Sequence, residues 1–278
     1  MTYHITLTDP MNGTREREPI TFILPEKLQE PLWWAITDED ARILCQRLEQ
    51  ESSASRTAFI ATVSFSGTFK MRLERPLTAA EVDEISGIQT LPGRESDCFV
   101  RLNTGCFDLE MCRGTAQGVG SSKWGLRHFR ALQDGVELLP SGNNAIGGFY
   151  GPFFTPENGL INPPEHTLVD IEIVEEGPVY HHYRMHGTIP DGLLAELRGK
   201  HFTIDWKFSW NTPWFQRRYW VDDFSTVING RSVTNKITVG DEFESALVAG
   251  QGRLERRASC PPGTRPSPPA RGSGRRGC

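Results

Sequence analysis

The sequence predicts an all-β protein: a large, mostly antiparallel β-sandwich (super-sandwich) with one or two short helices. Apolar and polar residues alternate along several segments, as in strands that have one buried and one polar face. Helical periodicity is confined to two short segments, and clusters of Gly, Pro, Asn and Asp separate the alternating ones. Many strands with few helices pack as stacked sheets.

The alternating segments predict the strands in chain order. Residues 59–65 and 69–73 alternate on either side of Ser66-Gly67, which predicts a β-hairpin. Further strands are predicted at residues 107–111, 169–173 and 202–210, the last with Phe, Ile and Trp on one face and Thr, Asp, Lys and Ser on the other. The dipeptide Asn229-Gly230 predicts a second hairpin.

The two helical segments are residues 78–85 and 191–198. Thr78 is followed three residues later by Glu81, which is the spacing of a capping box at a helix start.

Composition divides the chain into three parts. We predict an N-terminal β-sheet region at 1–95, a main β-sandwich with the site at 96–245, and a basic tail without fixed structure at 246–278. The tail has seven arginines, one acid and no aromatic residue, so it cannot bury enough apolar surface to fold. It is interpreted as the product of a frameshifted or truncated gene end, with a basic binding arm as the alternative.

The bulk composition argues against several functional classes. Hydrophobic residues make up 37% and charged residues 23%, and no apolar run is long enough to cross a membrane. The tail carries +6 and the chain −5, so residues 1–245 carry −11. Because phosphate binding needs a cationic surface, we expect neither nucleic acid nor membrane as a partner. The oligomeric state stays open.

The cysteines and the N-terminus favour a cytoplasmic protein. No secretory signal precedes the first strand pattern, and the six cysteines form neither a CxxC pair nor a dense framework. We therefore expect free thiols in a reducing compartment.

Residues 143–187 carry the clearest functional signal. Phe149, Tyr150, Phe153 and Phe154 lie among glycines and prolines, a composition typical of a loop. Polar residues surround these rings: Asn143, Asn144, Glu157, Asn158, Asn162, Glu165 and His166. Apolar rings beside amides and carboxylates suit a sugar, whose C–H faces stack and whose hydroxyls donate and accept hydrogen bonds.

The strand at residues 179–187 adds titratable groups. Strand alternation places Tyr180, His182, Arg184 and His186 on one face, and the opposite face is predicted to pack inward. In a lyase, His or Tyr would take the proton beside a uronate carboxylate and Arg would neutralise the developing charge. The alternative is a solvated strand face. His182 and His186 are four apart, a spacing that suits metal binding on a helix better than on a strand. His166 with Glu165 or Glu176 would complete a zinc-like site as the alternative, but no second metal motif is present, so we predict no metal and no cofactor.

Two aromatic segments have alternative interpretations. Lys123, Arg127 and His128 surround Trp124, either as a second wall of the pocket or as a strand edge with the tryptophan in the core. In residues 210–224, Arg217 and Arg218 must face opposite sides of a strand, which either packs in the core or lines a groove.

Short motifs resemble a known arrangement. The segment ITDEDARILCQRLEQ with FIATVSFSGTFKMRLERP, and later VRLNTGCFDLEM and IEIVEEGPVYHHYRMHG, resemble the β-rich domain of α-mannosidase-type glycosidases and of some polysaccharide lyases. Galactose mutarotase-like proteins use the same large sandwich. The resemblance implies a carbohydrate-handling sandwich. Because the mannosidases carry their zinc and catalytic carboxylate on a separate α/β domain, it does not imply their hydrolytic mechanism.

We therefore predict a carbohydrate-active protein that binds a sugar, with lyase or isomerase chemistry on an acidic sugar as one hypothesis. The alternative is a non-catalytic carbohydrate-binding or assembly module of a longer glycoside-processing enzyme, and an enzyme of other small molecules stays open. The predicted catalytic residues are His182, Arg184 and Tyr150. The predicted substrate-binding residues are Lys123, Trp124, Arg127, Asn144, Asn158, Glu165, His166 and His186.

Overall fold

The computed structural model describes residues 2–94, 96, 98–113, 124–138, 154–155, 159–160, 168–188, 199–222, 226–228, 231–233, 245–250 and 253–258. Within these residues the protein consists of antiparallel β-sheets and one short helix, so the predicted all-β class is confirmed. No helix in the described part is long and apolar enough to cross a membrane.

The first half of the chain forms one six-stranded sheet. Its strands are β1 (Tyr3–Thr8), β2 (Thr14–Leu24), β3 (Leu32–Thr37), β4 (Arg42–Leu48), β5 (Thr57–Ser66) and β6 (Thr68–Pro76). Their order in the sheet is β1-β6-β3-β4-β5-β2. Every strand contributes to one apolar cluster that includes Phe22, Phe59 and Leu73, so the sheet curls around its own core.

The predicted hairpin at Ser66-Gly67 is wrong in its pairing, although both strands exist. β5 pairs with β4 and β2, whereas β6 pairs with β1 and β3. Gly67, at φ +67°, is the only residue between the two strands. Alternation predicts a strand and its buried face but not its neighbour, which non-local packing decides here.

The predicted first helix is confirmed as α1 (Ala79–Glu84). Thr78 Oγ1 accepts a hydrogen bond from the Glu81 N–H, and Glu81 Oε2 accepts one from the Thr78 N–H at 2.9 Å, which completes the capping box. Arg75 also donates to both oxygens of Glu81, at 2.8 and 2.7 Å, and so ties the helix to β6. The second predicted helix lies outside the described residues.

The second half forms two four-stranded antiparallel sheets. One has the order β10-β9-β8-β7 and the other β13-β14-β15-β16. Their strands are β7 (Gln89–Leu91), β8 (Cys98–Asn103), β9 (Phe107–Cys112), β10 (Gly125–Ala131), β13 (Leu168–Glu175), β14 (Tyr180–Thr188), β15 (His201–Ser209) and β16 (Gln216–Val221). The chain changes sheet between β6 and β7, ahead of the predicted division near residue 95.

The two four-stranded sheets pack face to face around a second core. Leu102, Leu109 and Met111 come from one sheet, and Tyr183 and Trp206 from the other. The other face of β9 is also buried: Asp108 and Glu110 are 8% and 0% exposed, and Asp108 accepts hydrogen bonds from Arg94 and Arg101. Alternation therefore identifies the polar face of this strand but not its burial.

A buried glutamine joins the two halves of the protein. Gln46 on β4 donates from Nε2 to the Tyr180 carbonyl at 3.1 Å, and its Oε1 accepts from the Val179 and Tyr180 N–H groups at 3.0 and 2.9 Å. A small apolar cluster with residues from both halves, including Leu48 and Tyr180, surrounds these bonds. The junction fixes the start of β14, on which two of the three predicted catalytic residues, His182 and Arg184, lie.

Three two-stranded pairs complete the described elements: β11 (Phe154–Thr155) with β12 (Gly159–Leu160), β17 (Thr226–Ile228) with β18 (Arg231–Val233), and β19 (Ser245–Gly250) with β20 (Arg253–Ala258). Ile228 pairs with Arg231, so the Asn-Gly hairpin is confirmed. β19 and β20 extend strand structure into the segment that was predicted to lack fixed structure.

Candidate functional site

The candidate site lies on the outer face of the β13–β16 sheet, the face turned away from the second core. Tyr183 and Met185 of β14 are fully buried in that core, while Arg184 and His186 face outward. The predicted division of β14 into a packed and a polar face is therefore confirmed. Strand pairing places the polar residues of neighbouring strands beside them.

A row of alternating charge crosses all four strands. Glu172, Arg184, Asp205 and Arg218 are successive cross-strand partners. Arg184 Nε donates to Asp205 Oδ1 at 2.7 Å, and its Nη1 lies 3.4 Å from Glu172 Oε1. Opposite charges on directly paired residues stabilise a sheet. Arg184 is thus engaged on both sides by carboxylates of its own sheet.

Asp205 is the buried centre of this row, with 3% of its surface exposed. Burial by itself would raise the pKa of Asp205, but the hydrogen bond from Arg184 and the contact with His182 together lower it. Asp205 therefore remains an anion near neutral pH.

His182 lies in the next row of the same face and is also buried. Its Nε2 is 3.2 Å from Asp205 Oδ2, at an angle outside good hydrogen-bond geometry. Burial lowers the pKa of His182, and the attraction of Asp205 only partly opposes that effect. A neutral imidazole beside a carboxylate can act as a base.

Two cations on this face lack a carboxylate partner. Lys207 is the cross-strand partner of His182, and Arg218 is the partner of Asp205. Among the described residues neither forms an ion pair, because Arg184 and His182 already contact both oxygens of Asp205. Arg218 instead lies over the Trp220 ring, with its Cζ 4.6 Å from the ring centroid.

A groove runs across these residues, between the outer face of this sheet and the end of β4. Two adjoining cavities of about 290 and 190 Å³ share Leu48, Glu51, Tyr180 and Lys207 as walls. The larger also contains His182, Asp205, Arg184, Glu175, Arg218 and Trp220, and the smaller contains Trp214 and Gln216. Their joint size is that of a small-ligand site.

Two exposed indoles lie at different ends of this groove. Trp220 lines the larger cavity and is 42% exposed, and Trp214 lines the smaller one and is 37% exposed. The groove also contains two acidic side chains. Glu51 is exposed, while Glu175 is buried, and its Oε1 accepts from the Gln50 N–H at 2.7 Å. Burial raises the pKa of Glu175.

Trp124, predicted as a stacking platform, is a core residue. It is 0% exposed, and its ring stacks on Phe202 at a centroid separation of 5.0 Å. Of the two interpretations of this segment, burial of the tryptophan is the correct one, because a flat apolar ring gains most from the space between two sheets. Arg127 belongs to β10, but its side chain is outside the part of the chain that the structure describes.

The remaining predicted residues are only partly covered. His186 is outward and half-exposed, 3.7 Å from Glu172 Oε1, and it does not line the groove. Six predicted residues lie outside the described residues: Lys123, Asn144, Tyr150, Asn158, Glu165 and His166. The predicted meeting of the aromatic loop with β14 stays a prediction. No group of three or more His, Cys, Asp and Glu in the described part could hold a metal ion.

Several groove residues were not among the predicted site residues. Lys207 and Arg218 carry no motif, and their proximity to His182 follows only from the register of three strands. Glu51 comes from the far half of the chain. The aromatic density of residues 210–224 was the available signal, since one interpretation of that segment was a strand lining a groove.

A separate cavity of about 510 Å³, apart from the groove, lies at the junction of the two halves of the protein. Trp34, Arg42 and Thr62 line it from the first sheet, and Val179 and Trp210 from the other half. The Arg42 Cζ lies 5.9 Å from the Trp34 ring centroid. This cavity contains none of the predicted site residues.

Comparison with solved structures finds a similarity to an alpha-mannosidase from Enterococcus faecalis V583. The TM-score is 0.45 at 10% sequence identity, over 93% of this chain and 34% of that protein. The chain thus spans about a third of that protein's length. No protein-family model and no curated protein sequence matches the chain.

Proposed function

We propose that this protein binds a carbohydrate in the groove between β4 and the β13–β16 sheet, and that the carbohydrate carries a carboxylate. The observation that carries the proposal is the pair of unpaired cations, Lys207 and Arg218, beside the exposed ring of Trp220.

The groove combines the three kinds of contact that a sugar needs. Trp220 and Trp214 offer flat apolar surfaces for the C–H faces of pyranose rings. Glu51 and Glu175 accept hydrogen bonds from hydroxyls, and Lys207 donates them. A ligand that only donates or only accepts would leave half of these groups without a partner.

The length of the groove favours an oligosaccharide. Gln216 and Trp220 are four residues apart on β16, which corresponds to roughly 13 Å along a strand. This distance exceeds one hexose ring, and Trp214 extends the groove beyond Gln216.

Calorimetric titration with uronic-acid and neutral oligosaccharides of equal length tests this proposal. We expect Trp220→Ala to weaken binding of both by about tenfold, because the stacking surface is lost. Lys207→Met should weaken binding of the uronic ligand more than that of the neutral one, because only the uronic ligand loses a charge partner as well as a hydrogen-bond donor. Trp220→Phe retains a platform, and Met11→Ala removes an exposed side chain that lies outside the groove. Equal binding by wild type and Trp220→Ala contradicts the proposal.

A second candidate function is β-elimination on a bound uronide, favoured by the neutral His182 beside Asp205. His182 would take the C–H proton next to the carboxylate, a C=C bond would form, and the glycosidic C–O bond would break as the leaving oxygen gains a proton. Because Arg184 is held by Asp205 and Glu172, Lys207 and Arg218 are the groove cations available to neutralise the substrate carboxylate.

Ultraviolet absorbance of the unsaturated uronide measures elimination directly. We expect His182→Gln to abolish the absorbance change while calorimetric binding persists. If wild type binds but produces no unsaturated product, the non-catalytic binding module is the correct function. The predicted role of Tyr150 stays a prediction.

A further inference from the structure

The inner face of β16 contains a third cation that has no ion pair among the described residues, on the opposite side of the sheet from the groove. Arg217 and Tyr219 alternate with Arg218 and Trp220 along the strand. Arg217 pairs across the strands with Trp206, which is fully buried in the second core. The guanidinium of Arg217 thus lies at the edge of the interior between two sheets.

Aromatic rings surround the Arg217 guanidinium. Its Cζ is 5.2 Å from the Trp206 ring centroid and 5.1 Å from the Tyr219 ring centroid. Among the described residues Arg217 has no ion pair, and its buried Nη1 has no hydrogen-bond partner. Burial lowers the pKa of this guanidinium, which is the opposite of what a neighbouring carboxylate would do.

A second buried donor lies beside Arg217 on the same face of β16. Within the described part of the chain the Tyr219 hydroxyl has no hydrogen-bond partner, and the Tyr219 ring centroid is 5.1 Å from the Arg217 Cζ. Buried polar groups are almost always hydrogen-bonded, so two neighbouring orphaned donors on one strand face need an explanation.

The chemistry of these donors identifies their partner. A buried unpaired cation is strongly unfavourable, and a carboxylate or other oxyanion relieves it by accepting bidentate hydrogen bonds from the guanidinium fork. A phenol can donate to the same anion. We propose that Arg217 and Tyr219 form a binding site for a small oxyanion on the inner face of β16.

This site is independent of the groove. Strand alternation turns Arg217 and Tyr219 to the opposite face from Arg218 and Trp220, so a carbohydrate in the groove does not reach them. Failure of the carbohydrate proposal leaves the anion site untouched, and the reverse also holds.

Thermal unfolding in sodium sulfate, phosphate or acetate, against sodium chloride of equal ionic strength, tests the site. We expect a saturable rise of the midpoint by roughly 3 °C in wild type. A stronger response to acetate would identify a planar carboxylate as the ligand, and a stronger response to sulfate or phosphate a tetrahedral anion.

Arg217→Met should abolish this response, and Tyr219→Phe should weaken the apparent affinity by about tenfold. In chloride alone, Arg217→Met should be at least as stable as wild type, because it replaces a partly buried charge, which has no acidic partner among the described residues, by an apolar side chain. Arg56→Met, which removes an exposed arginine, is the matched control. Sulfate also stabilises proteins by exclusion from their surface, but that effect is equal in all variants.

An equal response of wild type and Arg217→Met to every anion overturns the site. So does an unsaturable response, or a wild type that responds to sulfate, phosphate and acetate only as it does to chloride. Should Arg217→Met fail to fold, Tyr219→Phe decides: unchanged apparent affinity in that variant contradicts the proposal.

Discussion

The two faces of the β13–β16 sheet differ in whether their charged residues have partners of opposite charge. On the outer face, Asp205 contacts both Arg184 and His182, whereas Lys207 and Arg218 at the groove have no ion pair among the described residues. On the inner face, aromatic rings and aliphatic side chains form the core beside Arg217, which has no acidic partner in the described part of the chain. Paired charges stabilise the outer face of the sheet, and the cations without an acidic partner among the described residues are where we propose that ligands bind.

The largest effect should come from the centre of the outer row. Asp205→Asn removes the carboxylate that holds Arg184 and contacts His182, leaving a partly buried cation with only Glu172. We expect the free energy of unfolding to fall by about 4 kcal/mol, measured by urea denaturation. Glu172→Gln removes the exposed end of the same row and should change stability by less than about 0.5 kcal/mol. Equal effects of both variants would show that the row is not centred on Asp205.

Protonation of a buried histidine on the inner face, His181, should have the next largest effect on stability. The Tyr183 hydroxyl donates to Glu176 Oε1 at 2.9 Å, so His181 Nδ1, 2.6 Å away, must donate to the tyrosine oxygen. Burial lowers the pKa of His181 to about 4. Between about pH 6.5 and 4 the unfolded chain therefore binds a proton that the folded protein does not, and stability falls as the pH drops.

This loss should amount to about 3 kcal/mol across that window. The lowered pKa of His182 acts in the same direction, while the raised pKa of Glu175 opposes it. Urea denaturation at several pH values should show a weaker pH dependence in His181→Gln than in the control His201→Gln, which alters an exposed histidine. An unchanged slope in His181→Gln would contradict burial of a neutral imidazole at this position.

Packing on the inner face should give the smallest of the three effects. A Cβ at Gly187 would lie 1.9 Å from the Phe202 ring, which is itself stacked on Trp124. Gly187→Ala should therefore destabilise the protein by about 2 kcal/mol, measured by thermal or urea unfolding. Gly199→Ala is a useful contrast, because nothing lies within 4 Å of its added Cβ and only its φ of +71° opposes the change. A neutral Gly187→Ala would mean that the Phe202 ring is not fixed there.

The sequence predicted the faces of the strands better than their neighbours. Alternation identified Phe202, Ile204 and Trp206 as core residues and Arg184 and His186 as outward ones, because burial on a strand has a period of two. It did not predict that Asp205 is the cross-strand partner of Arg184, or that β5 and β6 pair with other strands and not with each other. Those facts depend on strand register and order, which long-range packing determines.

The candidate site divides in the same way. His182 and Arg184 were predicted from one strand, whereas Lys207, Arg218 and Glu51 reach the groove from other elements. Trp124 shows the opposite error. A tryptophan between a lysine and a glycine suits a pocket and a core equally well in sequence, but Trp124 is fully buried in the structure.

Nuclear magnetic resonance of the seven indole N–H groups is the sharpest test of carbohydrate binding in the groove. On titration with a uronic oligosaccharide, we expect saturable shifts of the Trp220 and Trp214 indole signals, with Trp206 and Trp124 unchanged in the core. Variants Trp220→Phe and Trp214→Phe assign the two signals. Shifts confined to Trp34 and Trp210 would place the ligand in the other cavity, and no shift of any indole signal would contradict carbohydrate binding in the groove.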